Sequence, residues 1–212
     1  MQIGRLDAIW RYPTKSLHFE LLDEAHVDSD GIRGDRTRAL IVTAGHARLG
    51  KPYRGTENDR FHLETDREAA RALAAQRGVQ TQERGGERFF DAAPISILVD
   101  RWLDGLSAHL GYAVQPDRFR PNLFVRAADG FSMLEEDLAG WEIALGPVRL
   151  RVRAPIERCV VTTYDPDGGA SDPRILRYVA QERKTWMGIY CDVVATGIVR
   201  PGDELRRILP DA

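Results

Sequence analysis

The amino-acid sequence predicts a mainly β fold with a few helices, of the α+β class. Short apolar runs punctuated by glycine, proline and aspartate dominate the chain, and this spacing is typical of β-rich proteins. Two of these runs, Trp141–Leu145 and Val148–Val152, flank Gly146-Pro147, which favours a hairpin turn. Consecutive strands joined in this way predict an antiparallel sheet or a barrel.

Eight segments carry the strand pattern. Each is a short apolar run bounded by residues that favour turns. In chain order they are Ile3–Arg11, Leu21–Val27, Thr37–Val42, Asn122–Arg126, Trp141–Leu145, Val148–Val152, Gly188–Val194 and Glu204–Leu209.

A first helix is predicted between Thr65 and Gly78. The run Thr65-Asp66-Arg67-Glu68 fits a capping box, in which the Thr65 hydroxyl accepts from a free backbone N–H and Glu68 reaches back. The alanine-rich segment Ala69–Gln76 follows, and Gly78 is placed to end the helix in a left-handed conformation.

A second helix is predicted to open at Pro94, because proline lacks the N–H that stays unpaired in a first helical turn. Apolar residues then recur every three or four positions, and Gly111 closes the segment. These residues are Ile95, Leu98, Trp102, Leu103, Leu106 and Leu110.

Two further helical segments are shorter. Ser132–Glu135 suggests a capped turn, and Asp172-Pro173 opens a last helix that carries Ile175, Leu176 and Val179. We expect the apolar stripes of all these helices to pack in the core and not to bind a cofactor.

Composition excludes several classes of function. The 212 residues carry a net charge of −2, so charge gives no reason to expect nucleic acid or an anionic membrane as a partner. No apolar run is long enough to cross a bilayer or to act as a signal peptide. With two cysteines, Cys159 and Cys191, and no C-x-x-C or H-x-x-x-H pair, we expect a cytoplasmic protein without a conventional zinc site.

A boundary is predicted at the segment Gly78–Gly86, which has the composition of a loop or hairpin. It divides the chain into an N-terminal β-rich subdomain, residues 1–80, and a C-terminal domain, residues 81–212.

Cys159 is the most reactive candidate. It follows Arg158 and precedes Val160-Val161-Thr162-Thr163, a β-branched run predicted to be a strand, with a turn at Asp165–Gly168. A neighbouring guanidinium favours the thiolate, which attacks electrophiles and ligates soft metals. The alternative is that Cys159 is a small buried apolar residue, as most free cysteines are.

Three basic loops are candidates for binding an anion. Each alone is more typical of a solvated loop, but together they would form an anion pocket if the fold brought them close. The residues concerned are Lys15 and Ser16 after the first strand, Arg33 and Arg36 in a glycine-flanked turn, and Arg118, Arg120 and Asn122 in a third loop.

Taken together, these motifs resemble the MOSC family, named for the C-terminal domain of molybdenum cofactor sulfurase. Two motifs are similar to the β-barrel domain that precedes MOSC domains, and three, in the family's order, to the MOSC domain itself. They are Tyr12–Ser16 and Gly31–Arg36, with the strand Leu21–Val27 between them, and then Arg118–Asn122, Ile156–Gly169 and Gly197–Asp203.

The resemblance implies a β-barrel MOSC fold with an N-terminal β-rich subdomain and a bound molybdenum cofactor, the metal carried by molybdopterin. It makes Cys159 the metal ligand and the catalytic residue. It assigns cofactor binding to Lys15, Ser16, Arg36, Arg120 and Asn122, and Arg158 joins them as the neighbour of the ligand.

Two positions depart from the family pattern. Ile156 stands where the first of two cysteines is usual, so only Cys159 is available, and Thr37-Arg38-Ala39 replaces aromatic and methionine residues. The sequence also has no cysteine-rich ferredoxin segment, so electrons would come from a separate electron-transfer protein.

Three functions follow from the resemblance. The first is an oxidoreductase similar to the amidoxime-reducing components, acting on small N-hydroxylated or N-oxide substrates. The second is a carrier of the cofactor or of sulfur, with a persulfide on Cys159. The third is a degenerate MOSC scaffold that binds no metal, an alternative that the loss of the first cysteine keeps open.

Overall fold

A computed structural model describes residues 1–209. Within them the chain forms thirteen strands, three α-helices and several short 3-10 turns. The strands are β1 (Gln2–Arg11), β2 (Glu20–Leu22), β3 (Ala25–Asp28), β4 (Gly31–Ile32), β5 (Arg38–Ala44), β6 (Gln80–Gly85), β7 (Ile95–Val99), β8 (Leu123–Ala127), β9 (Glu142–Leu145), β10 (Val148–Glu157), β11 (Trp186–Ala195), β12 (Gly197–Val199) and β13 (Glu204–Ile208). The helices are α1 (Arg67–Gln76), α2 (Asp104–Leu110) and α3 (Pro173–Glu182).

Seven strands close into a barrel. Their order is β13-β9-β10-β11-β7-β8-β1, and β1 pairs with β13 to complete the ring, while β2 extends the sheet beyond β1. All neighbours are antiparallel except β7 and β8, which run parallel. The expected mainly β, barrel-type fold is therefore confirmed, and closure leaves no free edge among the seven strands.

Two smaller sheets come from the first half of the chain. β5 pairs with β6, and the buried side chains between this pair and α1 form a separate small core that includes Leu40, Tyr53 and Phe61. β3 pairs with β4 and also with β12, which lies late in the chain. Strand β3 thus pairs with one strand from the first part of the chain and one from its last part.

The predicted hairpin around Gly146-Pro147 is confirmed as the β9–β10 connection, with Leu145 opposite Val148. Gly146 has a φ of +52°, and a Cβ there would lie 2.8 Å from Oδ2 of Asp203. The turn therefore requires glycine both for its backbone conformation and for the close approach of Asp203.

The helix predicted to open at Pro94 is wrong over its first turns. Ile95–Val99 is strand β7, buried at all five positions between β11 and β8, and a 3-10 turn over Asp100–Leu103 leads into α2. A strand covered on both faces is apolar throughout, so periodicity alone did not separate it from a buried helix.

Two other helical segments begin at a different residue from the one predicted. The cap of α1 is Asp66 and not Thr65, because the Asp66 carboxylate accepts from the backbone N–H of Glu68 at 2.8 Å. The turn predicted over Ser132–Glu135 forms instead as a 3-10 turn over Glu135–Leu138. The predicted start of the last helix is confirmed, with Asp172 as its N-terminal cap.

Two strand predictions also need correction. Leu21–Val27 is interrupted, so that β2 and β3 belong to different sheets. The segment Gly78–Gly86, predicted as a loop or hairpin, contains β6, whose side chains are mostly exposed except Thr81. Its polar composition concealed the strand, because an exposed partner of a buried strand needs few apolar residues.

No helix within residues 1–209 is both long enough and apolar enough to cross a membrane.

Candidate functional site

An open cavity of about 260 Å³ brings most of the candidate residues together. Its wall carries six cationic side chains and two carboxylates, those of Asp91 and Glu157. The cations are Lys15, Arg36, Arg54, Arg118, Arg120 and Arg158, and Ser16, Ser96, Cys159, Thr162 and Tyr190 also line the wall. The excess of positive charge suits an anionic ligand.

Cys159 lies at this wall with its side chain exposed. The segment after it is not the predicted strand, because Val160–Thr163 forms a 3-10 turn that begins directly after Cys159. The Thr162 hydroxyl donates to the Cys159 carbonyl at 3.0 Å, and the Thr163 hydroxyl donates to the Val160 carbonyl at 2.7 Å. These side-chain bonds favour a tight turn over the strand that β-branched residues otherwise prefer.

The second cysteine, Cys191, is buried in the barrel on β11. Burial raises the pKa of its thiol far above the usual range. Cys191 does not line the cavity, so the exposed thiol at the site is that of Cys159.

The Arg158 guanidinium is held by two backbone carbonyls and keeps one nitrogen without a partner within residues 1–209. Its Nε donates to the Met187 carbonyl at 2.6 Å and its Nη1 to the Phe119 carbonyl at 2.8 Å. Its Nη2 is buried and has no hydrogen-bond partner among residues 1–209. Burial lowers the pKa of Arg158 to about 10, so the guanidinium stays charged at neutral pH.

Lys15 is held at the cavity by an ion pair. Its Nζ donates to Oδ1 of Asp91 at 2.5 Å and to the Phe89 carbonyl at 2.7 Å. The Lys15 side chain is 11% exposed, whereas that of Asp91 is 69% exposed. Burial lowers the pKa of Lys15, while Asp91 opposes that shift. The sequence does not single out Asp91, because no local pattern marks it as the partner of Lys15.

Arg36 and Arg120 both approach the ring of the buried Tyr12. Their guanidinium carbons lie 4.7 and 4.3 Å from its centroid, respectively. The Asp35 carboxylate accepts from the Tyr12 N–H at 2.7 Å and from Nη1 of Arg36 at 2.6 Å. The pair of arginines is therefore placed by an aromatic ring and a buried carboxylate.

Three cavity residues other than glycine have left-handed backbones: Ser16, Arg36 and Arg120, with φ values of 71°, 47° and 50°. Such conformations cost on the order of 1–3 kcal/mol for a non-glycine residue and persist where the surroundings impose them. Their concentration at one cavity makes it the candidate functional site.

Asn122 is the one residue of the predicted cofactor-binding set that does not line the cavity. It is 1% exposed, and its Oδ1 accepts from the Ser96 hydroxyl at 2.9 Å and from Nη1 of Arg36 at 3.2 Å. Its side-chain oxygen therefore holds the Arg36 guanidinium in place without lining the cavity. Arg33 lies elsewhere, in an exposed ion pair with Asp28.

Arg118 lines the cavity, but its guanidinium donates mainly to carbonyl and carboxylate groups of the protein. It donates to the Tyr164 carbonyl at 2.6 Å and to Oδ2 of Asp165 at 2.7 Å. It thereby holds the segment that follows Cys159.

Arg54, Thr56 and Tyr190 also line the cavity and were missed, since none lies in a motif with a recognisable spacing.

A family model for the MOSC domain matches residues 81–206. The chain belongs to the MOSC family.

The chain is also similar to proteins of known name. The chain is 31% identical over 133 residues to the mitochondrial amidoxime reducing component 2 of Macaca fascicularis, covering 56% of this chain and 38% of that protein. The human component 2 matches with the same identity and coverage. The chain thus spans less than half the length of these relatives.

A solved structure supports the fold over nearly the whole chain. The YuaD protein of Bacillus subtilis superposes with a TM-score of 0.56 at 20% identity, covering 95% of this chain and 93% of that one. At this identity the likeness is one of fold.

The residues at the cavity fit a metal cofactor with an anionic group. Cys159 offers an exposed thiol, the ligand type that soft metals prefer. The buried Nη2 of Arg158 is a donor without an acceptor, which an anionic oxygen would satisfy. Residues 1–209 contain no cluster of three or more His, Cys, Asp or Glu side chains that could hold a bare metal ion.

Proposed function

We propose that this MOSC protein binds a molybdenum cofactor at the cavity and reduces small N-hydroxylated or N-oxide substrates. A molybdenum-cofactor-associated function is supported by the family match and by the amidoxime reducing components among the relatives. The observation that carries the proposal is the exposed thiol of Cys159 in a cationic wall that also includes Arg158, whose Nη2 has no hydrogen-bond partner within residues 1–209.

The chain's own residues would take distinct parts in binding. The Cys159 thiolate would ligate the metal, and Lys15, Arg36 and Arg120 would hold the anionic part of the cofactor with Ser16. Arg158 would donate its free Nη2 to an anionic oxygen near the metal. Asn122 would keep Arg36 in place from outside the cavity.

The bound cofactor would supply the two-electron redox chemistry. In the overall reaction, R–NH–OH takes up two electrons and two protons, the N–O bond breaks, and R–NH₂ and water leave. The electrons would come from a separate electron-transfer protein. The cavity is open, so both the substrate and the protons can enter from solvent.

The test starts with metal and pterin analysis of protein expressed in a host that makes the cofactor. Near-stoichiometric molybdenum that is lost in Cys159→Ser, with the fold unchanged, is the expected result. Cys191→Ala is the matched control and should keep its metal, because Cys191 lies in the core. Retention of molybdenum in Cys159→Ser would contradict the ligand assignment.

Activity is then measured on the loaded protein with benzamidoxime and a chemical electron donor. Formation of benzamidine by the wild type, and none by Cys159→Ser, would support the proposal. No turnover by a fully loaded wild type would exclude the reductase function.

The exposure of Cys159 also supports a second function, delivery of sulfur or of the cofactor to another protein. A persulfide needs an accessible thiol, which Cys159 provides. Labile sulfur on Cys159 without redox turnover would favour the carrier. Absence of metal, pterin and labile sulfur would favour the degenerate scaffold, in which Ile156 fills the position of the usual first cysteine.

The cytoplasmic location stays a prediction. The relatives named above are mitochondrial proteins by name.

A further inference from the structure

One cation of the cavity, Arg54, makes no side-chain hydrogen bond within residues 1–209. Arg54 lies between β5 and α1, immediately before the 3-10 turn Gly55–Glu57. Its Nε is buried without a partner among residues 1–209 and lies 3.9 Å from Oε2 of Glu57, beyond hydrogen-bond distance. The Arg54 side chain as a whole is 37% exposed and lines the cavity, so a ligand in the cavity can reach it.

The other five cations of the cavity are each bound to the chain itself. Their partners are Asp91 for Lys15, Asp35 for Arg36, Asp165 for Arg118, the Leu17 carbonyl for Arg120 and the Met187 carbonyl for Arg158. Arg120 and Arg158 bond to carbonyls and keep their charge, but both are assigned above to the cofactor. Arg54 is the remaining cation of the cavity whose side chain makes no hydrogen bond to a carboxylate within residues 1–209.

The backbone next to Arg54 packs against the turn that follows Cys159. A Cβ at Gly55 would lie 3.3 Å from a methyl of Val161, so the backbone beside Arg54 is in close contact with the turn Val160–Thr163. Arg54 and Cys159 line the same cavity. A molecule held near Cys159 would thus come within reach of the Arg54 side chain.

We propose that Arg54 binds a carboxylate of the substrate, so that the protein favours N-hydroxylated molecules that also carry a carboxylate. The inference rests on the proposed function for the reacting N–O group. A guanidinium matches a carboxylate in shape and can donate to both of its oxygens. Because Glu57 comes no closer than 3.9 Å to Nε of Arg54 and makes no hydrogen bond to it, the guanidinium keeps donors for a ligand of single negative charge.

Binding is tested first, without any reductant, so that no turnover takes place. Calorimetry compares benzamidoxime with 4-carboxybenzamidoxime on the purified holoprotein. The wild type should bind the carboxylated compound about tenfold more tightly or better, as expected for a charge-assisted pair. Arg54→Gln should abolish this preference, and Arg54→Lys should restore part of it. Equal affinities in the wild type would overturn the inference.

Arg48→Gln is the matched control. Arg48 is an exposed arginine of the same loop that does not line the cavity, so its removal should leave the preference unchanged. A loss of preference in Arg48→Gln as large as that in Arg54→Gln would mean that general surface charge is responsible, and would also overturn the inference.

Metal content and kinetics separate substrate binding from cofactor binding. Arg54→Gln should keep its molybdenum and pterin, whereas a fall in either would assign Arg54 to the cofactor and contradict the inference. With an electron donor, Arg54→Gln should raise KM for the carboxylated substrate about tenfold, with kcat changed less than about twofold. If the loaded wild type reduces neither compound but keeps the binding preference, the reductase function fails and the carboxylate site stands.

Discussion

Gly188 leaves the space that the guanidinium of Arg158 occupies. A Cβ at Gly188 would lie 3.0 Å from Nη2 of Arg158 and 2.8 Å from the carbonyl oxygen of Ile97. The φ of Gly188 is +91°, a conformation that residues with a Cβ rarely adopt. The position of the free donor of Arg158 therefore depends on a glycine on the neighbouring strand β11.

Gly188→Ala should destabilise the protein through both strain and overlap. Gly86→Ala is the matched control, because Gly86 has a similar φ of +88° with no atom within 4 Å of the added Cβ. Gly188→Ala should lose about 1–3 kcal/mol more than Gly86→Ala, since it alone crowds its neighbours. Urea unfolding of both variants measures the difference, and equal losses would contradict the role of Gly188.

The two cysteines should differ sharply towards a thiol reagent. In protein prepared without cofactor, the exposed Cys159 should react quickly, whereas Cys191 is buried and its pKa is raised by burial. Titration with a chromogenic disulfide should give one fast thiol per chain in buffer and two in denaturant. Cys159→Ser should remove the fast reaction, and two fast thiols in the native wild type would contradict the burial of Cys191.

The elements that could be predicted from the sequence are those fixed by contacts between residues close together in the chain. The β9–β10 hairpin and the start of α3 were predictable, because turn residues and a cap fix them locally. Strand β7 was not, since its pairing with β8 and β11 is what makes Ile95–Val99 extended. The turn after Cys159 was missed because two threonine hydroxyls outweigh the β preference of their side chains.

The grouping of the candidate residues was predictable where a motif contained them. Lys15, Arg36 and Arg158 were named from sequence and do line one cavity. Asp91 and Arg54 were not named, since each gains its place only when distant segments of the chain meet. Asn122 lies in a motif, yet its side chain holds Arg36 in place and does not line the cavity. Only the hydrogen bonds in the structure show this difference.

Glu135 should contribute far more to stability than its neighbour Glu136. Glu135 is buried, and its carboxylate accepts from Nη2 of Arg183 at 2.6 Å and from the Gly188 N–H at 3.1 Å. Glu135→Ala leaves the largely buried Arg183 without its counter-ion and should cost about 3–5 kcal/mol.

The matched control for this pair is Glu136→Ala. Glu136 pairs with Lys184 near the surface, and such pairs contribute about 0–1 kcal/mol. The free energies of unfolding in urea give the comparison. A loss in Glu135→Ala no larger than that in Glu136→Ala would show that the buried ion pair does not anchor the start of β11.

Asp172 should make stability depend on pH in the acid range. Its carboxylate caps α3 by accepting from the Arg174 N–H at 3.0 Å, and it also accepts from the Tyr112 hydroxyl at 2.8 Å. The hydrogen bonds from the Arg174 side chain lower the pKa of Asp172 well below its usual range. Because the folded pKa is depressed, this stabilisation is complete above the unfolded pKa of about 4 and is lost as the pH falls through the folded pKa.

Asp172→Ala should therefore be about 1–2 kcal/mol less stable than the wild type at pH 7, the usual cost of losing a helix cap. The difference should shrink as the pH is lowered from about 4 towards 2. Asp172→Asn, which keeps an acceptor for the Arg174 N–H but cannot ionise, should show a smaller loss at pH 7 and less dependence on pH. Urea unfolding at pH 7, 5 and 3 measures all three proteins. A difference between wild type and Asp172→Ala that stays constant over this range would mean that the charge of Asp172 does not stabilise α3.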